Sequence, residues 1–266
     1  MTNNSDDQTL FARTLGIIPG EILARCAKIL VALAAVYAIL WFAGFQKLFL
    51  GDAEGLATLV QIIGTLYSVL YAFATYVIWG QFTSVENEIL KESGSLKDLL
   101  LFSNRLKEAV REPIVRAVKI YARSVVETEW KALADGGTSE KTDRLFYDVI
   151  GSVANIKWED DSERVVYERL LDIANQASAH RDERLSLSVK RIPRTLVLFV
   201  SLTACTILFL LLFYPFRNVA LGILSVAIAA MLLFFAHFVL TDLDNPFQGT
   251  WNVRVDPFGE LITKFR

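Results

Sequence analysis

The sequence predicts an all-α membrane protein: four transmembrane helices, two plus two, with a helical cytoplasmic domain between the pairs. Three observations predict it. Of 266 residues, 53% are hydrophobic although 21% are charged, so the two kinds must be segregated. No Asp, Glu, Lys or Arg occurs in the stretches 29–45, 56–79, 195–214 and 219–240, and a helix needs about 20 mainly apolar residues to cross a bilayer. No segment alternates with period two, whereas the charged middle repeats its apolar residues at helical spacing.

The elements follow in order. Residues 1–28 read as a cytoplasmic N-terminal segment, mobile from Asp6 to Leu23, with an interfacial turn around Phe11 to Ile18. Residues 29–80 hold the first two spans. The first run starts too far into the chain, with no small-residue cleavage pattern, to read as a signal peptide. It is short, but extends through Phe49 if Lys47 snorkels. Gly51 to Gly55 supplies a tight connection to the second span.

Residues 81–192 form the helical cytoplasmic domain. Thr83-x-x-Glu86 fits a capping box, although continuation of the second span fits as well. Ile114, Val118, Tyr121 and Val125 recur at helical spacing after Pro113, which suits a first helical turn. Gly136-Gly137 stops that helix. Asp160-x-x-Glu163 opens another that runs toward Arg191, with Val166, Leu170, Ile173 and Ala177 on one stripe. Residues 193–241 hold the last two spans, joined by Pro215 to Asn218. Residues 242–266 form a cytoplasmic tail. It opens with Leu243-Asp244-Asn245-Pro246-Phe247-Gln248-Gly249, whose Pro and Gly end the helix and fold the chain back.

Charge sets the topology. Each hairpin carries one basic residue, Lys47 or Arg217, while Arg13, Arg25, Lys28, Arg191, Arg194, Arg254 and Lys264 lie on the other side. The positive-inside rule then places both termini and the middle domain in the cytoplasm of an inner or plasma membrane. A net charge of −2 gives no support for a nucleic-acid partner. Cys26 and Cys205 read as small apolar residues.

The residues do not describe an enzyme. No Cys/His set has metal-ligand spacing, no Gly-rich loop opens a helix to hold a nucleotide cofactor, and no Ser or Cys has a base nearby in sequence. The pairs Glu127/Glu129 and Asp160/Asp161 read as solvated faces. His237 is the one titratable group deep in a span, a functional candidate by default, set against a neutral His bonded to a carbonyl.

The second span is more informative. Gln61, Thr65, Ser68, Ala72 and Thr75 make one small polar stripe, and Leu59, Ile63, Leu66, Leu70, Phe73 and Val77 an apolar stripe beside it. One reading is a helix lining a conduit, wetted by the polar stripe and narrowed by a ring of Leu70 or Phe73. The other is ordinary membrane helix packing, which also favours small and hydroxylated residues. Arg181, Arg184, Lys190 and Arg191 lie where the last middle helix returns to the membrane. They read either as a basic mouth that concentrates anions or as topogenic charge beside anionic headgroups.

Taken together, Gly64-Thr65-Leu66, Ala72-Phe73, Gln81 to Glu88, Tyr121 to Trp130, Arg181/Arg184 and the Asp244-Asn245-Pro246-Phe247-Gln248-Gly249 motif resemble the bestrophin-like family of bacterial and plant membrane proteins. Glu129, Trp130, Asp244, Pro246, Phe247 and Gly249 are the ordered markers. The resemblance implies the bestrophin fold, with five subunits around one pore lined by the second helix. It sets the neck among Leu66, Leu70, Phe73 and Val77, beside the wetting residues Gln61, Thr65 and Ser68. It implies no metal or cofactor here, because the acidic calcium ligands that follow Asn-Pro-Phe in animal bestrophins are replaced by Gln248-Gly249-Thr250-Trp251. The expected function is a homo-oligomeric ion channel, anion-conducting, whose partners are itself, small inorganic ions and lipid. The alternative is a non-conducting scaffold or signalling protein acting through its cytoplasmic helices. Asp244 is expected to pair with Arg181 or Arg184 and hold the tail.

Overall fold

The computed structural model describes residues 20–158 and 160–264; the expectations for the N-terminal segment therefore fall largely outside the described residues. The described chain is helical and contains no strand. It divides into two compact units, one of residues up to Ile78 with Ile192–Asp242, the other of Trp79–Arg191 with Leu243–Arg266.

The first unit holds helices long and apolar enough to cross a membrane. Helix α1 spans Gly20–Phe42, followed at Gly44 (φ +78°) by a 3-10 turn over Phe45–Asp52. The first span thus ends at Phe42 instead of running through Phe49, and gains its length on the N-terminal side. Helix α2 spans Ala53–Ser103 and belongs to both units. Helices α7 (Arg194–Phe213) and α8 (Val219–Leu243) complete the set. At about 1.5 Å per residue, the 20 residues of α7 measure about 30 Å, the thickness of a hydrocarbon core.

Specific contacts join these helices inside the first unit. Tyr37 of α1 is fully buried and lies over Gly222 of α8, where a Cβ would stand 1.9 Å from its hydroxyl. Only glycine admits that approach. Trp41 Nε1 donates to the Phe216 carbonyl (3.5 Å) and Gln46 Nε2 to that of Leu212 (3.4 Å). Tyr67 of α2 packs with Val200 and Ile207 of α7, and Leu70 joins that cluster.

The second unit is a helical bundle around one apolar core. Besides the 79–103 part of α2 it contains α3 (Glu108–Ser124), a π-helical turn (Val125–Glu129), α4 (Trp130–Ala134), α5 (Glu140–Ala154), α6 (Asp161–Ser188) and α9 (Asp256–Lys264). The capping-box reading of Thr83 gives way to continuation: its hydroxyl bonds back to the Trp79 and Gly80 carbonyls within α2. Pro113 lies inside α3 instead of opening it. Ile114, Val118, Tyr121 and Val125 are all buried. Gly136 takes φ +79° and ends α4, and the Asp160 carboxylate caps α6 by accepting from Glu163 N–H at 2.7 Å. The stripe Leu170, Ile173 and Ala177 faces the core, with Val166 against it.

The tail belongs to the same core. Gly249 (φ +97°) turns the chain after α8, and Val253 N–H donates back to the Pro246 carbonyl at 2.8 Å. The following helix α9, which the sequence reading treats as plain tail, buries Phe258 and Leu261.

Candidate functional site

Two arrangements carry the chemistry, one in each unit. The first is the face of α2 that the rest of its unit leaves uncovered. Tyr67, Ala74 and Ile78 turn inward and are buried. On the other side Ile62, Leu66, Val69, Phe73 and Tyr76 are 43–78% exposed, at alternating spacings of four and three. Gln61, Thr65 and Ser68 are exposed beside them. The Thr65 and Ser68 hydroxyls donate to the Gln61 and Gly64 carbonyls (2.8 Å each), which leaves their oxygens as acceptors on an otherwise apolar stripe.

Of the seven expected pore residues, Gln61, Thr65, Leu66, Ser68 and Phe73 are exposed, whereas Leu70 and Val77 are both part-buried. Leu70 packs against the Tyr67–Val200–Ile207 cluster and does not share the open face. Ile62, Val69 and Tyr76 do share it and escape the sequence reading. A 4-3-4-3 count from Ile62 would have found them.

The second arrangement is a buried ion-pair cluster in the second unit. The π turn builds it. At α-helical geometry Glu129, eight positions after Tyr121, would lie about 80° round the axis from it. One π turn, closed by Trp130 N–H donating to the Val125 carbonyl five residues back, absorbs a residue and returns Glu129 to the side of Tyr121. Glu129 then receives both nitrogens of Arg181 (2.6 and 3.1 Å) and Arg184 Nη2 (2.9 Å).

Arg184 also takes Glu92 of α2 (Nε at 2.6 Å, Nη2 at 3.3 Å), and Arg181 takes Asp143 of α5 at 2.5 Å. The Tyr121 hydroxyl accepts from Arg181 Nη1 at 2.6 Å and donates to Glu92. Glu92, Glu129 and Arg184 are fully buried, and Arg181 is 3% exposed. Burial works against ionisation of Glu129, but the Arg184 and Arg181 guanidiniums outweigh it and hold its carboxyl below the usual range. Burial raises the Tyr121 phenol well above its ordinary value, and the Glu92 carboxylate raises it further.

This overturns three expectations. Glu129 does not lie on a solvated face but is fully buried, because the π turn brings it to the two guanidiniums. Arg181 and Arg184 are not exposed cations of a basic mouth, because their charge is spent inside the core; of that set only Lys190 is fully exposed and Arg191 partly so. Nor are they spoken for by Asp244: Glu129, Glu92 and Asp143 occupy them. The tail is held by other means. Phe247 is buried with its ring edge-on to Trp130, centroids 5.2 Å apart, and Asn245 Nδ2 donates to the Ala134 carbonyl at 2.8 Å. His237 is half-buried on α8.

Four long apolar helices and a helical bundle define a multipass membrane protein of all-helical class. The chain belongs to the bestrophin-like family, whose domain matches residues 29–258. It is similar in fold to a bacterial bestrophin homologue from Klebsiella pneumoniae in a tryptophan-to-alanine variant, at 12% identity and TM-score 0.73 over 93% of this chain and 97% of that one. A second structure of a Klebsiella pneumoniae bestrophin homologue gives 10% identity and TM-score 0.69 over 91% and 98%. A membrane protein carrying a serine-to-alanine change gives 12% and 0.70 over 92% and 96%. No curated protein sequence matches the chain.

Proposed function

We propose that this protein is a homo-oligomeric ion channel, a pentamer, in which the open face of α2 lines the conduction path. The observation that carries the reading is the uncovered heptad stripe Ile62, Leu66, Val69, Phe73 and Tyr76 with Gln61, Thr65 and Ser68 beside it. A 4-3-4-3 repeat is the spacing by which neighbouring parallel helices stay in register around an axis. Apolar side chains on that axis form a constriction that passes ions only when wetted, and the hydroxyls and amide supply the wetting. Thr65, Leu66, Phe73 and Val77 supply the neck and its approach, whereas Leu70 buttresses α2 from behind.

Anion preference follows from the topology. With both termini and the second unit on the cytoplasmic side, the exposed Lys190 and the part-exposed Arg191 place cations just before α7. No catalytic role is assigned to any residue. The experiment is a planar bilayer recording of the purified protein. Single-channel currents are expected, with conductance raised by Phe73→Ala. A fully reconstituted protein with no flux overturns the reading.

A further inference from the structure

Helices α2 and α6 meet through two rungs of matched spacing. Glu88 and Glu92 stand four residues apart on α2, and His180 and Arg184 four apart on α6, so each pair projects from one face of its helix. The Arg184–Glu92 rung is buried, and its guanidinium keeps its charge. The other joins His180 Nδ1 to Glu88 Oε2 at 2.8 Å, with 28% and 12% of the two side chains exposed. Lys91 Nζ takes the second Glu88 oxygen at 2.7 Å.

We propose that the His180–Glu88 rung is a proton-sensitive positioning contact on α2. Protonation of His180 turns its hydrogen bond to the Glu88 carboxylate into an ion pair, alters how α2 is held against α6, and so alters conduction. The inference rests on the reading that α2 lines the conduction path.

Charged groups face His180 from every element packed against it. Facing it from α2 are Glu88, with Lys91 and Glu92 a turn further on. Its own helix adds Arg181, Glu183 and Arg184, and beyond Arg181 stand Asp143 of α5 and Glu129 of the π turn. Burial works against the Glu88 carboxylate, but the hydrogen bonds and charges of Lys91 and His180 outweigh it and hold that carboxyl below its ordinary value. Glu88 is therefore an ionised acceptor at neutral pH, and histidine is the side chain whose charge changes between about pH 5 and 8. The two guanidiniums beside it keep their charge throughout that range. Because the buried Arg184–Glu92 contact also joins the two helices, a change in the second rung shifts an equilibrium without parting them.

The test is the pH profile of channel activity in bilayers for the native chain, His180→Gln, His180→Arg and Glu88→Gln. An ion pair at a part-exposed site shifts the open-to-closed ratio by about two- to fivefold over the hydrogen bond of the neutral imidazole. The native protein is expected to change activity by that factor between about pH 8 and about pH 5.5. His180→Gln should hold the alkaline level and His180→Arg the acid level at every pH, and Glu88→Gln should flatten the profile. A flat native profile, or a native profile retained in His180→Gln, overturns the proposal. Absence of current in every variant contradicts the conduction reading instead. In that case amide exchange over residues 84–92, corrected for its intrinsic pH dependence, decides the rung: faster exchange at the alkaline end in the native chain but not in His180→Arg supports it, and equal exchange sinks it.

Discussion

Phe247 sets its ring edge-on against Trp130, centroids 5.2 Å apart, and so joins the two most recognisable stretches of the chain, which lie more than a hundred residues apart in sequence. The tail motif is a docking element. Pro246 and Gly249 turn the backbone, Asn245 fastens to the end of α4, and Phe247 enters the core.

Removal of that ring should loosen the second unit. Truncating a buried Phe costs about 3–5 kcal/mol, part of it the edge-to-face contact. Phe247→Ala is expected to lower the thermal midpoint of the purified protein and speed proteolysis after residue 243. Asp244→Asn should leave the Arg181 and Arg184 ion pairs intact, since those guanidiniums belong to Glu129, Glu92 and Asp143.

The buried cluster gives an acid-sensitivity prediction. Glu129 has its carboxyl held below the ordinary value in the folded state. Its stabilising contribution is therefore present above the unfolded carboxylate value of about 4.3 and is lost as pH falls through the lower folded value. Thermal scans should be level from about pH 7 to about pH 5 and fall below about pH 4. Glu129→Gln should cost about 3–5 kcal/mol at neutral pH, because it removes the buried carboxylate charge that two guanidiniums share, and should show a shallower acid limb.

Gly222 is fixed by Tyr37. A methyl group there meets the phenol ring, so Gly222→Ala should destabilise the first unit by about 1–3 kcal/mol through overpacking. Adding Tyr37→Ala should recover part of the loss; strictly additive losses in the double variant would refute the steric account.

Much of the architecture was legible because it rests on periodicity and on charge segregation. The spans, the Pro215–Asn218 connection, the Gly136 stop and the Asp160 cap follow from local chemistry. The family assignment followed from an ordered set of short motifs. The ion-pair cluster was not legible, because it depends on a π turn that shifts Glu129 by one position and on four elements converging from distant parts of the chain. Periodicity also could not tell Leu70 from Val69. Both lie on apolar stripes, and only packing by α7 decides which is covered.

The central claim is that the open face of α2, and not its covered face, meets the permeating ion. Cysteine accessibility under current recording tests it most directly, in a background with Cys26 and Cys205 replaced by Ser. Thr65→Cys, Val69→Cys and Phe73→Cys should each lose current on adding a charged, water-soluble thiol reagent, while Ala74→Cys should be unaffected. Reagent that modifies the open-face cysteines without changing the current, or that acts equally on Ala74→Cys, would contradict the account.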